Sequence, residues 1–291
     1  MFRGSITALV TPFDGGKLDE TKFKSFVEWQ INEGSHGLVP CGTTGESPVL
    51  SHEEHIRVIN ICIDVASKRV PIIAGTGSNS TEEAIYLTKS AKEAGADGAL
   101  VVTPYYNKPS QRGLVSHYLK IADSVDIPLI IYNIPGRSVV DLTLESLKTL
   151  SNHSNIVGIK DASDNLARTL SIRLELKENF SLLSGDDVTA TGFLAQGGNG
   201  CVSVCSNVAP RLNAKLYDLW DAGKYDEVWK IRDILHPLNV ALFCEPNPAP
   251  IKYACSLLNK CSPETRPPMV PIDSHTKERI KNCMKVAGII D

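Results

Sequence analysis

The sequence predicts an α/β fold, a (β/α)8 TIM barrel followed by a helical C-terminal extension. Eight short, nearly continuous apolar runs alternate with longer segments of helical period in the first part of the chain. Such runs are typical of strands that are buried on both faces of a parallel sheet, and eight strand–helix repeats build this barrel. After about residue 223 the strand pattern stops and helical patterns follow. We therefore expect a barrel domain over residues 1–223 and a helical domain over residues 224–291.

Helix signals separate the eight predicted strands. The strands cover residues 5–10, 36–40, 70–75, 98–104, 127–133, 155–161, 180–186 and 199–205. Asp19 opens the first helix, and Ser51 and Ser80 are each followed three residues later by Glu, the pattern of a capping box. The helical patterns of the extension cover residues 224–243, 247–260 and 275–288. An open doubly wound sheet normally has a glycine-rich phosphate fingerprint after its first strand, where this chain has TPFDGG.

The composition gives no reason to expect nucleic acid or a membrane as a partner. The formal net charge is −3, which does not attract polyanions. No apolar run approaches the roughly 20 residues that span a bilayer, and the N-terminus lacks the long apolar core of a signal peptide. The eight cysteines form no CxxC pair and no zinc-finger spacing, which indicates buried, reduced thiols and a cytoplasmic location.

Lys160 is the most informative polar residue, because it ends an otherwise apolar strand. Active sites of this barrel form at the carboxyl ends of the strands. A desolvated amine favours its neutral form, and a neutral amine can attack a ketone to form an imine. The alternative is a lysine that pairs with Asp161 or Asp164 at the barrel rim. Position alone does not decide between these two readings.

Three further features follow other strands. Tyr132 ends the neighbouring strand, where a phenol either shuttles protons or simply fills the top of the barrel. The turn Gly42-Thr43-Thr44-Gly45 offers N–H and hydroxyl groups that suit a carboxylate, or serves only as a tight turn. Arg137 lies on a short loop, where it either binds a carboxylate through two hydrogen bonds or is solvated.

No metal site is expected. His52 and His55 are one helical turn apart in SHEEH but have no third ligand nearby. On spacing alone, a solvated helix face is the preferred interpretation of this pair.

Taken together, the motifs resemble the dihydrodipicolinate synthase family of pyruvate-dependent class I aldolases. They run nearly end to end: GSITALVTPF, GTTGES, IAGTGSNST, VVTPYYNKPSQRGL, YNIPGR, GIKDAS, SGDD and EPNPAPIKYA. The resemblance implies a lyase that condenses pyruvate with L-aspartate 4-semialdehyde in diaminopimelate and lysine biosynthesis. It implies no cofactor other than the covalent pyruvate imine itself.

The resemblance also implies how the catalytic residues share the work. Lys160 in GIKDAS matches the lysine that forms the imine with pyruvate. Tyr132 in YNIPGR matches the tyrosine that relays protons, and Thr43 matches its hydrogen-bonded partner. Tyr106 matches a third relay member, which in the family reaches in from a neighbouring subunit. A homo-oligomer follows, usually a tetramer built as a dimer of dimers.

Other matching residues are implied to bind substrate. Thr44 holds the pyruvate carboxylate, Arg137 binds the carboxylate of the semialdehyde, and Gly185 and Val202 line the pyruvate pocket. The chain departs from the family two residues after the arginine, where Gly is frequent and this sequence has Val139.

A second site is implied by the lysine-sensitive members of the family, in which the pathway's end product L-lysine inhibits at a subunit interface. The matching residues here are Ser47, His52, His55, Asn79, Glu83 and Tyr105. This match gives His52 and His55 a ligand-binding alternative to the solvated helix face.

Two other functions are compatible with parts of the pattern. An N-acetylneuraminate lyase or a 2-keto-3-deoxy sugar acid aldolase would keep the imine, but such enzymes do not typically place an arginine at Arg137, because they bind polyols there. A non-catalytic sensor of small acids would be expected to have lost Lys160 or the relay, and neither is missing.

Overall fold

A computed structural model describes the whole chain, residues 1–291. Its main sheet has eight strands, and their bounds are β1 (Gly4–Ala8), β2 (Gly37–Val39), β3 (Ile73–Gly75), β4 (Gly98–Val102), β5 (Leu129–Asn133), β6 (Ile156–Asp161), β7 (Ser181–Ser184) and β8 (Gly200–Ser203). The order in the sheet is β2-β1-β8-β7-β6-β5-β4-β3. Consecutive strands are neighbours except for β2 and β3, which stand at the two ends of this order, and the first strand pairs with the last, as in a nearly closed (β/α)8 barrel. The predicted fold class is therefore confirmed.

Helices follow the strands, and four more lie beyond β8. Their bounds are α1 (Glu20–Asn32), α2 (His52–Ala66), α3 (Thr81–Ala94), α4 (Gln111–Ser124), α5 (Pro135–Ser138), α6 (Leu144–Leu150), α7 (Leu166–Glu175), α8 (Ala190–Ala195), α9 (Pro210–Asp221), α10 (Tyr225–Ala241), α11 (Ala249–Leu257) and α12 (Ser274–Val286). Short 3-10 turns cover Ser47–Val49 and Cys205–Asn207, and a small hairpin pairs Phe13–Asp14 with Lys17–Leu18. None of these helices is long and apolar enough to cross a membrane.

The helix starts form where the sequence predicts them, because each predicted cap satisfies a free backbone N–H. Asp19 accepts a hydrogen bond from the N–H of Lys22. Ser51 forms a complete capping box with Glu54. Ser80 also caps its helix, but the carboxylate of Glu83 accepts a hydrogen bond from the Ser78 hydroxyl.

The chain divides into two compact units. One unit comprises Met1–Arg3 with Pro71–Val202, and the other comprises Gly4–Val70 with Ser203–Asp291. In the first, Tyr118 is fully buried and its hydroxyl donates to the carbonyl of Val101. In the second, α12 packs on α10 and α11. The expected boundary between residues 223 and 224 lies inside the second unit and stays a prediction.

All eight cysteines are free thiols. Six of them are buried, as the sequence indicates, but Cys244 is exposed and Cys283 is half-buried. The expectation of burial is wrong for Cys244, because this residue follows the end of α10 and its apolar neighbours in sequence do not cover it.

Candidate active site

Lys160 and Tyr132 lie side by side near the carboxyl ends of two adjacent strands, β6 and β5. Their Cα atoms are partners in the parallel ladder, so the two side chains leave the same face of the sheet. Both are buried, with exposures of 6% for Lys160 and 5% for Tyr132. The Lys160 Nζ atom lies 3.8 Å from the centroid of the Tyr132 ring. The structure thus brings together the two residues that the sequence singles out most strongly.

The carboxylates near Lys160 do not form the rim ion pair that the sequence left open. Asp161 accepts a hydrogen bond of 2.7 Å from Nε of Arg168, and its other oxygen accepts from the N–H of Ser163. Asp164 is exposed but lies near like charges: partial desolvation and the carboxylates of Asp186 and Asp161 raise its pKa. The Lys160 amine therefore has an aromatic face beside it rather than a counter-ion.

Gly185, which follows β7, makes room for the Lys160 side chain. A Cβ atom at this position would lie 3.2 Å from Cε of Lys160 and 2.6 Å from Cβ of Ala162. Any side chain here would displace Ala162 or the Lys160 side chain. Val202 on β8 is 1% exposed.

Arg137 belongs to the short helix α5, and its side chain is exposed. The buried residue next to it, Ser138, anchors this helix: its hydroxyl accepts from Thr103 Oγ1 and donates to the carbonyl of Ile134. Val139 ends the helix with φ = 67°, a left-handed conformation that is strained for a β-branched residue. The departure from the family pattern thus falls on the one residue of this loop whose backbone favours glycine.

The loop after β4 carries Tyr105 and Tyr106, and side-chain amides hold it in place. Asn79 Nδ2 donates to the carbonyl of Tyr105, and Asn107 Nδ2 donates to the carbonyl of Asn79. Tyr106 has φ = 71° and is 89% exposed. A strained loop thus presents a large aromatic ring to solvent, while one predicted lysine-binding residue, Asn79, supports the loop.

Thr43 and Thr44 form a turn in the second compact unit, between β2 and α2. Thr44 is 3% exposed, and its Oγ1 atom accepts a hydrogen bond of 3.1 Å from Asn247 Nδ2. Thr43 is half-buried, and its carbonyl accepts from the N–H of Glu46. One of the two hydroxyls is therefore already oriented by the protein.

The residues of the predicted lysine site divide between the two units. Asn79, Glu83 and Tyr105 belong to the first unit and Ser47, His52 and His55 to the second. On α2, His52 is exposed and His55 is buried. The structure contains no group of three or more His, Cys, Asp or Glu side chains that could hold a metal ion.

Two ion pairs close to the predicted site residues, one half-buried and one fully buried, were not predicted from the sequence. One joins Asp161 to Arg168, and the other joins Glu46 to Lys252. A signal for the second pair was present: Lys252 is the only charged residue in the apolar stretch APIKYACSLL, and Glu46 ends the turn motif GTTGE.

Comparisons with known proteins identify the family and agree with the fold. The sequence matches the model of the dihydrodipicolinate synthetase family over residues 1–287. A 4-hydroxy-tetrahydrodipicolinate synthase from Rhodospirillum centenum is 58% identical over 290 residues, covering 100% of both chains. The pyruvate complex of the chloride-inhibited dihydrodipicolinate synthase from Acinetobacter baumannii is 44% identical, with a TM-score of 0.97 and 100% coverage of each chain. The lysine-bound enzyme from Cyanidioschyzon merolae is 38% identical, with a TM-score of 0.96 and 99% coverage of each chain. The similarity extends over the whole chain and not only over the barrel.

Proposed function

Because the chain belongs to the dihydrodipicolinate synthetase family, we propose that Lys160 forms the pyruvate imine on which the activity of this family depends. The chain is a lyase that condenses pyruvate with L-aspartate 4-semialdehyde in diaminopimelate and lysine biosynthesis, and it needs no metal or other cofactor. One observation carries the choice of lysine: Lys160 is buried at the end of β6, against the Tyr132 ring and without a counter-ion.

The reaction begins at the Lys160 amine. Its lone pair attacks the keto carbon of pyruvate, and loss of water from the carbinolamine leaves a protonated imine. The cationic imine withdraws electrons from the pyruvate methyl group, so that a methyl proton leaves and an enamine forms. The enamine carbon then bonds to the aldehyde carbon of the second substrate, whose oxygen takes up a proton. Finally the amino group of that substrate attacks the imine carbon, closes the ring and releases Lys160.

These steps need proton transfers, and we assign them to hydroxyl groups. Tyr132 is adjacent to Lys160, and Thr43 and Tyr106 are the other two members of the relay. Hydroxyls can pass protons without placing a further charge beside the cationic imine. The exposure of Tyr106 supports the proposal that its side chain reaches into the active site of a neighbouring subunit. We therefore propose a homo-oligomer, a tetramer arranged as a dimer of dimers.

Substrate carboxylates are bound by Thr44 and Arg137. The buried hydroxyl of Thr44 and the N–H groups of its turn suit the pyruvate carboxylate. The Arg137 guanidinium is accessible on α5 and can bind the carboxylate of the semialdehyde through two hydrogen bonds. An arginine at this place distinguishes the semialdehyde from the polyol chain of a sugar acid. Gly185 and Val202 line the pyruvate pocket.

We also propose that L-lysine inhibits this protein, since a lysine complex exists for a relative. The ligand residues are those that match the family's lysine site: Ser47, His52, His55, Asn79, Glu83 and Tyr105. Asn79 supports the loop of Tyr105 and Tyr106, which offers a route from the inhibitor to the relay. The cytoplasm is the compartment that we expect for this biosynthetic enzyme.

Reductive trapping tests the assignment of Lys160. After incubation with pyruvate and borohydride, the intact mass should increase by one reduced pyruvate adduct, and peptide mapping should place it on Lys160. Lys160→Ala should show no adduct, whereas Lys148→Ala, which removes an exposed lysine paired with Glu175, should keep it. No adduct on the wild-type protein, or the same adduct on Lys160→Ala, contradicts the proposal.

A coupled assay with both substrates, with and without L-lysine, tests the remaining assignments. We expect turnover with the semialdehyde and a lower rate at millimolar L-lysine. If L-lysine changes neither the rate nor the melting temperature, the inhibitor site is wrong.

A further inference from the structure

The turn that carries Thr43 and Thr44 is strained at both ends. Cys41 and Glu46 have φ values of 56° and 57°, in the left-handed region that residues other than glycine rarely adopt. Gly45 between them has little room for a side chain, because a Cβ atom would lie 3.1 Å from the carbonyl oxygen of Leu9. Strained backbone of this kind persists only where the surrounding structure holds it.

A buried ion pair holds the far end of this turn. Lys252 Nζ lies 2.7 Å from Oε1 of Glu46, and the two residues are 0% and 3% exposed. The other carboxylate oxygen, Oε2, accepts a hydrogen bond of 2.9 Å from the N–H of Arg266. The ammonium also lies 4.2 Å from the centroid of the Phe13 ring. Both oxygens of Glu46 are thus fixed by groups that come from the C-terminal part of the chain.

The same part of the chain also contacts the middle of the turn. Asn247, just before α11, donates from Nδ2 to Oγ1 of Thr44, while Lys252 lies within α11. The extension therefore contacts the turn at two points, one of them a hydroxyl that we assign to substrate binding.

Stability alone is a poor explanation for this ion pair. Two charges that leave water lose hydration, and a buried pair is often no more stabilising than an apolar replacement of similar size. Burial lowers the pKa of Lys252, and the Glu46 carboxylate opposes that shift. What the pair does provide is a short, directional contact at a strained residue.

We infer that Lys252 and Glu46 are positioning residues, which fix the Thr43–Thr44 turn and thereby set the affinity for pyruvate. The inference rests on the proposed role of Thr44 in binding the pyruvate carboxylate. It gives the C-terminal extension a role in catalysis: α11 keeps the binding turn in its strained conformation.

Two variants separate positioning from stability. Lys252→Met breaks the pair and leaves Glu46 as a buried, unpaired carboxylate. Lys252→Met/Glu46→Gln removes both charges, so that the melting temperature should return towards that of the wild-type protein. In both variants, we expect the pyruvate concentration for half-maximal borohydride trapping, and the KM for pyruvate, to increase about tenfold or more, since the Thr44 hydroxyl would no longer be held in place for the pyruvate carboxylate. The kcat at saturating pyruvate should change much less.

The matched control is Arg57→Met, which breaks the exposed Arg57–Glu20 pair in the same compact unit and should leave the KM for pyruvate unchanged. A double-mutant cycle then asks whether the pair acts through the turn. Thr44→Val and the charge-free double variant should each raise the KM for pyruvate, and together they should raise it by less than the product of the two effects.

Two outcomes overturn the inference. One is a charge-free double variant with wild-type KM, since the pair would then be structural only. The other is a KM for the combined variant that equals the product of the separate effects of Thr44→Val and the charge-free double variant. Failure of the proposed function looks different, because the wild-type protein itself would then trap no pyruvate on Lys160.

Discussion

Lys160 and Lys252 are the two buried lysines of this chain, and their surroundings differ in one decisive respect. Both ammonium groups lie against an aromatic ring, at 3.8 Å from Tyr132 and 4.2 Å from Phe13. Lys252 has a carboxylate partner at 2.7 Å, whereas the carboxylate next to Lys160 pairs with Arg168 instead. Burial against an aromatic ring therefore does not by itself make a reactive lysine. A nucleophilic amine must also be free to reach its substrate, whereas the Lys252 amine is held by the Glu46 carboxylate.

The largest effect on activity is expected from Lys160→Ala, which tests the difference between the two lysines. Loss of the imine-forming amine should lower kcat/KM on the order of 10⁴-fold or more, with little change in melting temperature. Lys252→Met should instead lower the melting temperature and leave the kcat of the folded protein of the same order as the wild-type value. The measurement is steady-state kinetics on samples whose folded fraction is verified by circular dichroism. A folded Lys252→Met protein with no detectable turnover would contradict the distinction between the two lysines.

The second prediction concerns stability, where Lys252 should dominate. Lys252→Met leaves an unpaired carboxylate at Glu46, and breaking a buried pair in this way costs about 3–5 kcal/mol. The charge-free double variant with Glu46→Gln should lie within about 1 kcal/mol of the wild-type protein. Chemical denaturation provides the free energies. In the control Arg57→Met, the loss should not exceed about 1 kcal/mol, because that pair is exposed.

The difference between the two lysines also shows how far the sequence could predict this site. Lys160 and Tyr132 end consecutive strands, and consecutive strands are neighbours in a barrel, so their proximity follows from chain order. Lys252 and Glu46 are 206 positions apart, and no local pattern determines which helix of an extension faces which turn. That contact depends on the packing of the whole second unit.

Backbone conformation was predictable only in part. The apolar runs predicted all eight strands, and their polar ends predicted the candidate residues. The left-handed conformations of Cys41, Glu46 and Tyr106 were not predictable, because none of these residues is a glycine that would signal them. At Val139 the departure from the family pattern was visible in the sequence, but its strain was not.

A third prediction concerns His117, a buried ionisable side chain without a counter-ion. His117 on α4 is 5% exposed, its Nδ1 atom lies 2.9 Å from Thr81 Oγ1, and its Nε2 atom has no hydrogen-bond partner. Burial lowers its pKa from 6.5 to about 4. Between these two values the unfolded chain binds a proton that the folded chain does not, so stability falls as the pH falls. The contribution is fully present above pH 6.5 and is lost below about pH 4.

The loss expected from His117 over this range is about 3 kcal/mol. Denaturation at several pH values should show that His117→Leu loses that much less stability than the wild-type protein. His275→Asn, which changes an exposed histidine, should keep the wild-type profile. If the wild-type and His117→Leu profiles run parallel, the imidazole of His117 takes up its proton at the same pH in the folded protein as in the unfolded chain, which contradicts the prediction.

The smallest effect is expected at Val139, where the backbone is strained and no charge is involved. Its φ of 67° costs on the order of 1 kcal/mol for a β-branched residue, and its side chain is 69% exposed, so little packing opposes removal. Val139→Gly should therefore raise stability by up to about 1 kcal/mol, less the entropy that glycine adds to the unfolded chain. Val140→Gly is the matched control: Val140 packs against the core, so the same change should be destabilising. If Val139→Gly lowers the melting temperature as Val140→Gly does, the strain at the end of α5 is not real.

If Val139→Gly stabilises the protein but raises the KM for the semialdehyde, that strain serves to hold Arg137 in place.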